Sequence, residues 1–98
     1  TVGIFAFTDD ASVHADHWER HPEGDEVLCV LEGCLVVTIE GEGTRERSVI
    51  LEKGQALIVP QARWHRLLVV EPGRLLVCTP RSGTALRRVE SAEAVAAA

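Results

Sequence analysis

His17-Trp18-Glu19-Arg20-His21-Pro22-Glu23-Gly24-Asp25-Glu26-Val27-Leu28-Cys29-Val30-Leu31-Glu32-Gly33 decides how this chain is read. His17, Glu19 and His21 share one parity, while Asp16, Trp18 and Arg20 share the other. An extended strand therefore puts the two histidines and the carboxylate on one face. Pro22-Glu23-Gly24 turns the chain. Glu26 then opens the apolar run Val27–Leu31, which stops at Glu32-Gly33, a second turn signal. Ionisable side chains thus stand where a buried strand face should be apolar, and burying them needs a chemical reason.

Working outward, the rest of the chain is a series of short apolar runs between turn residues. Val2–Phe7 reads as a first strand and His14–His21 as a mixed one. Leu35–Glu40 is strongly strand-like and reaches a hairpin tip at Gly41-Glu42-Gly43. Arg47–Leu51 ends at Glu52-Lys53-Gly54, and Ala56–Val59 is stopped by Pro60. His65–Val70 ends at Glu71-Pro72-Gly73, and Leu75–Thr79 at Pro80. About eight short strands with no long helix predict an all-β barrel or sandwich. Gly33 and Gly54 are read as turn glycines with positive φ. Residues 1–90 form the expected barrel domain. Ser91–Ala98 is an Ala-rich tail that reads as a short C-terminal helix, with Ser91 as N-cap.

The 98 residues suit one domain. A net charge of −5 argues against a nucleic-acid footprint, which needs a clustered basic face. Arg81, Arg87 and Arg88 are read as solvated surface. No apolar stretch is long enough to span a membrane, and no signal-peptide pattern opens the sequence. Cys29, Cys34 and Cys78 lie in apolar runs without CxxC spacing, so free thiols in a reducing, cytoplasmic compartment are expected.

Far from the opening stretch, His65 begins a strand just after Pro60. In a closed barrel, Glu19, His21, Glu26 and His65 converge at one end. Imidazole nitrogens and carboxylate oxygens bind first-row divalent ions, and Fe, Mn, Ni, Zn or Co suits this set. His21, Glu26 and His65 form the core of the candidate metal site. Glu19 is read as a fourth ligand or as a catalytic acid/base beside the metal. His17 has the right parity for a structural or cavity-lining role, and His14 reads as surface. Trp18 and Trp64 face away from the ligands, as packing or interface residues.

These residues resemble the two sequence motifs of a small single-domain cupin. Glu19-Arg20-His21 fills the His-x-His slot of the first motif, four residues lead to Glu26, and six more lead to Gly33. Gly54, five residues, Pro60-Gln61-Ala62, two residues and His65 follow the second. The chain departs from the pattern at Val13 and Ala62, which replace glycines, and at Val69, which replaces an asparagine. Glu19 stands in place of a histidine, so the usual three-His, one-Glu set becomes two His and two Glu. The resemblance implies a double-stranded β-helix, or jelly-roll barrel, holding one divalent metal. It also implies action on a small oxygen-rich ligand such as an organic acid, a diketone or a sugar. As an enzyme, such a protein would be a metal-dependent dioxygenase, decarboxylase or isomerase. The alternative is a non-catalytic binding or sensory module with a vestigial or empty site. A homodimer is expected from the small core, from Val2–Phe7 being apolar on both parities, and from Trp18 as an exposed anchor.

Overall fold

The computed structural model describes residues 1–41 and 45–90. The tail 91–98 read as helical, and Glu42 and Gly43 of the expected hairpin tip, lie outside the described residues. The described strands are β1 (Val2–Phe7), β2 (His17–Arg20), β3 (Glu26–Glu40), β4 (Glu46–Glu52), β5 (Ala56–Val59), β6 (His65–Cys78) and β7 (Ala85–Arg88), with one 3-10 turn at Asp10–Val13. The architecture is the expected all-β one, and no described helix is long and apolar enough to cross a membrane.

β3 and β6 pair antiparallel along almost their whole length, from Val27 opposite Cys78 to Ile39 opposite His65. Around this pair two sheets form. One runs β1-β6-β3-β5, using the end of β6 and the start of β3. The other runs β4-β3-β6-β2-β7, using the opposite halves. Their inner faces share one core: Phe7, Leu28, Val30 and Leu75 from the first sheet meet Leu35 and Val37 from the second.

Two expected turns are corrected. Glu32-Gly33 and Glu71-Pro72-Gly73 do not end strands. They face one another inside the β3–β6 ladder, where the register shifts between Val30 and Leu35. Gly33 has φ +87°, and a Cβ there would stand 2.5 Å from the Pro72 carbonyl oxygen. A Cβ on Gly73 would collide with the Glu32 carbonyl. Both glycines permit the close backbone approach that bends the paired strands from one sheet into the other. Gly54 also has the expected positive φ.

Trp18 is corrected too. It faces away from the candidate ligands, as parity requires, but it is only 1 % exposed. β7, which short apolar runs did not reveal, pairs with β2 and places Arg87 opposite Trp18. The Arg87 guanidinium lies 5.3 Å from the Trp18 ring and 4.8 Å from the Trp64 ring, and its tip meets Glu40 at 2.6 Å. The Arg66 guanidinium also lies 5.7 Å from the Trp18 ring, and that of Arg20 lies 4.8 Å from the Trp64 ring. Arg87 is thus exposed at the surface, as expected, and also packs over the two tryptophans.

Candidate metal centre

The two sheets bring four ionisable side chains to one end of the barrel interior. Glu19 on β2 stands directly opposite His65 on β6. His21 follows β2 by one residue and keeps the same side. Glu26, the first residue of β3, comes from the other sheet, opposite Val59. One ligand atom from each of Glu19, His21, Glu26 and His65 lies within 4.8 Å of the others. The sequence-expected set is assembled as a group of the kind that can hold a metal.

The histidines are oriented from behind. The Thr84 hydroxyl donates to the Arg81 carbonyl at 2.7 Å, so at its 2.8 Å contact with His21 it accepts, and His21 Nδ1–H donates. His65 Nδ1–H donates to the Arg63 carbonyl at 3.2 Å. Both Nε2 atoms therefore point inward with lone pairs available when the rings are neutral.

His65 Nε2 lies 2.9 Å from Glu26 Oε1, and the buried Thr79 hydroxyl donates to Glu26 Oε2 at 2.6 Å. Burial alone would push the Glu26 pKa up. Hydrogen bonds from His65 and Thr79, with the nearby imidazole charges, outweigh it and hold the carboxyl below its ordinary value. Burial likewise works against a charged His65, but Glu26 more than offsets this and raises the ring's pKa above its ordinary value. Each partner thus favours the charged form of the other.

His21 differs. Its Nε2 is 2.7 Å from Glu19 Oε1 and 3.3 Å from Glu26 Oε2. Proximity alone would suggest an ion pair, yet neither oxygen lies where a ring N–H would point, and the atom is buried without a hydrogen-bond partner. A short contact that is misaligned is not a hydrogen bond. A nitrogen lone pair and two carboxylate oxygens converging on one spot is an arrangement that a cation relieves, so the residues fit a divalent metal.

A cavity of about 280 Å³ adjoins the cluster. Glu19, Glu26 and His65 line its polar side together with His17, Thr79 and Arg81. Phe5, Leu28, Leu75 and Val77 form its apolar wall. His17 is therefore a cavity-lining residue, as parity allowed. His14, read as surface, is exposed and also borders the cavity; it ends the 3-10 turn in a left-handed conformation (φ 51°). His21 is not among the residues that line the cavity.

Sequence reasoning missed Thr79 and Thr84. Thr79 had a signal: it continues the inward parity of Leu75 and Val77, so it is a polar residue on an apolar face. Thr84 had none, because its position depends on β7.

The family description "Cupin domain" matches residues 8–79. No curated protein sequence matches the chain. Among solved structures, an oxalate oxidase in complex with the substrate analogue glycolate superposes with a TM-score of 0.62 at 17 % identity, over 86 % of this chain and 54 % of that one. Bacillus subtilis oxalate decarboxylase, a protein with Mn(II) centres, gives 0.68 at 16 % identity, over 90 % and 23 % of the two chains. Drosophila melanogaster CENP-C, bound to CAL1, gives 0.63 at 14 % identity, over 78 % and 58 %. The chain thus spans less than two thirds of each of these structures, and at such identities the likeness concerns the fold. With the family match covering most of its length and both sheets arranged as described, the chain belongs to the cupin domain family.

Proposed function

We propose that the chain binds one divalent metal ion through Glu19, His21, Glu26 and His65 and presents it to a small oxygen-rich ligand in the adjoining cavity. The observation that carries this reading is the orphaned, buried Nε2 of His21 between two carboxylates. Two imidazoles with two carboxylates suit Fe, Mn, Ni, Zn or Co. A bound ion would supply Lewis acidity toward an oxygen ligand.

The chain's own residues divide the remaining work. Thr84 and the Arg63 carbonyl fix the two ring orientations, and Thr79 holds Glu26. Glu19 is about one-third exposed and stands between cluster and cavity, where it can ligate or hold a proton at its carboxylate. Arg81 offers a positive charge to an anionic ligand, while the apolar wall excludes water from the rest. The neighbours named as an oxalate oxidase holding glycolate and an oxalate decarboxylase with Mn(II) support an organic acid as the ligand class. Three free thiols suit a reducing, cytoplasmic setting.

Elemental analysis of protein purified without an affinity tag should find about one divalent ion per chain. His21→Ala and His65→Ala should each weaken binding by more than the ~100-fold that loss of an outer hydrogen-bond partner can cost. Unchanged affinity in both variants would remove this reading. A second reading, a non-catalytic binding module, is favoured by the likeness to CENP-C, solved bound to another protein. Full-length, folded protein that takes up none of the five metals would support it.

A further inference from the structure

The outer face of the β4-β3-β6-β2-β7 sheet holds more positive charge than the described residues balance. Strand alternation turns Glu19 and His65, which stand opposite one another, into the barrel. Their neighbours Trp18 and Arg20 on β2, and Trp64 and Arg66 beside His65, therefore face outward. Arg87 reaches across both rings from β7 and ends on Glu40 of β3 at 2.6 Å. Glu40 thus balances Arg87. Arg66 has no such answer. It is only 7 % exposed, and its Nε is buried without a hydrogen-bond partner. Among the described residues no carboxylate forms an ion pair with it. A guanidinium cannot shed its proton, so its burial cost is offset only by an anion or by acceptors. The Trp18 ring at 5.7 Å contributes, but a neutral ring does not balance the charge. The Nε of the half-buried Arg20 is likewise buried without a partner.

We infer that Arg66, Arg20 and Arg87 form a binding site for one compact dianion, a phosphate group that is free or carried on a small phosphomonoester. Charge supports two negative units, because Glu40 balances one of the three guanidinium groups and leaves two. Glu46, opposite Glu40 on the outermost strand, is exposed and forms no ion pair with the three among the described residues. Donor chemistry supports phosphate, since guanidinium forks match its oxygens. Thr38 stands opposite Arg66, and its hydroxyl shares one hydrogen bond of 3.0 Å with that of Ser48. Two hydroxyls that share one bond keep a second O–H to donate beside Arg66.

The same face restricts what the phosphate is attached to. Trp18 is buried, and the Trp64 ring is covered by Arg20 and Arg87 at 4.8 Å each, so no base can stack there. A nucleic-acid strand would also meet a chain of net charge −5 beyond this one patch. The inference does not rest on the metal reading, because these side chains leave the sheet on the face opposite Glu19, His21 and His65.

Both tryptophans of the sequence lie in this cluster, so intrinsic fluorescence reports on it. Metal-free 98-residue chain is titrated with inorganic phosphate at about pH 8, where a phosphate group carries close to two charges, with ionic strength held constant by chloride. A saturable change is expected with a Kd of about 1 mM or tighter, matched by calorimetry. Arg66→Gln should weaken binding at least tenfold, as loss of a charged hydrogen bond does. Arg20→Gln should weaken it in the same direction, which guards against one variant failing to fold. Glu40→Gln removes the carboxylate that competes for Arg87 and should tighten binding at least twofold, a gain that a damaged fold does not produce. Glycerol 3-phosphate in a parallel titration names the source: tighter binding than inorganic phosphate assigns a phosphomonoester, weaker binding the free ion. Absence of both a saturable fluorescence change and a heat of binding overturns the inference. So does an affinity unchanged in both arginine variants, or weakened in Glu40→Gln. A hexaglutamate peptide that binds at least tenfold more tightly than either phosphate also overturns it, by assigning the face to an acidic protein surface.

Discussion

Glu26 and Val27 are adjacent on β3, and each departs from the ordinary rule of burial in the opposite sense. Glu26 is a buried carboxylate inside the barrel, while Val27 is an exposed aliphatic side chain outside it. The interior departure is largely compensated within the chain: His65, Thr79, Thr84 and the Arg63 carbonyl satisfy the polar cluster, leaving His21 Nε2 as its gap. The exterior departure has no such compensation. The outer face of the other sheet shows what compensation looks like, with Arg66, Arg87 and Arg20 laid over Trp18 and Trp64. The two faces of one strand thus depart from the rule in opposite senses, one largely compensated by neighbouring polar groups and the other not.

The largest effect that could break this comparison concerns Glu26. In metal-free protein, Glu26→Ala should lower unfolding stability by about 3 kcal/mol, the low end for breaking a buried ion pair because His65 can shed its proton. Val27→Lys should change it by no more than about 0.5 kcal/mol. Urea denaturation of the two variants decides this, and equal costs would dissolve the distinction. Next, Thr84→Val should weaken metal binding by roughly 10- to 100-fold without removing a ligand, by freeing the His21 ring to rotate. Competition titration with a metallochromic dye measures it, and wild-type affinity would show that the orphaned Nε2 does not depend on this support.

A third effect is the pH dependence of the interior. Glu26 titrates below its ordinary value, so its stabilisation is present above about pH 4.3 and is lost as pH falls through the lower folded value. His65 titrates above its ordinary value, so its share is full below about pH 6.5 and is lost as pH rises through the higher folded value. Metal-free protein should be most stable between these limits. Metal must displace the His65 proton, so affinity should rise by about tenfold per pH unit until the raised pKa is passed. Calorimetry in buffers of differing ionisation enthalpy counts the released proton, and a flat affinity profile would contradict the raised His65 pKa. The smallest effect concerns the loop that leads to His65. Ala62 stands where the family motif has glycine and still adopts φ 62°. Ala62→Gly should therefore stabilise the fold by about 1 kcal/mol, relieving the left-handed conformation. Thermal melts read it, and a lowered Tm would mean that the alanine is not strained.

The ligand cluster was legible because strand parity carries across a turn. Glu19 and His21 share a face, and the turn at Pro22-Glu23-Gly24 delivers Glu26 to them. The bulges were not legible. Gly33 and Gly73 carry the same turn chemistry whether a strand ends or kinks, and nothing local says that two such signals 40 positions apart will face one another. β7 was missed because Ala85-Leu86-Arg87-Arg88 neither alternates nor forms an apolar run. That omission also made Trp18 look exposed, since its cover comes from β7. The apolarity of Val2–Phe7 on both parities was visible, but which parity faces outward required the pairing with β6.

The long β3–β6 pair has a kinetic consequence. Every other described strand bonds to one of these two, apart from β7, which joins through β2. Their ladder links residues 26 positions apart at one end and 51 at the other. Closing it requires loop entropy to be spent before any sheet can grow on either side, which places refolding in the slow millisecond-to-second range of β-rich topologies. Neither sheet can condense first as a separate unit, so the chain should refold in one cooperative phase. The amide protons at the centre of β3 and β6 should exchange with solvent only when the whole molecule opens.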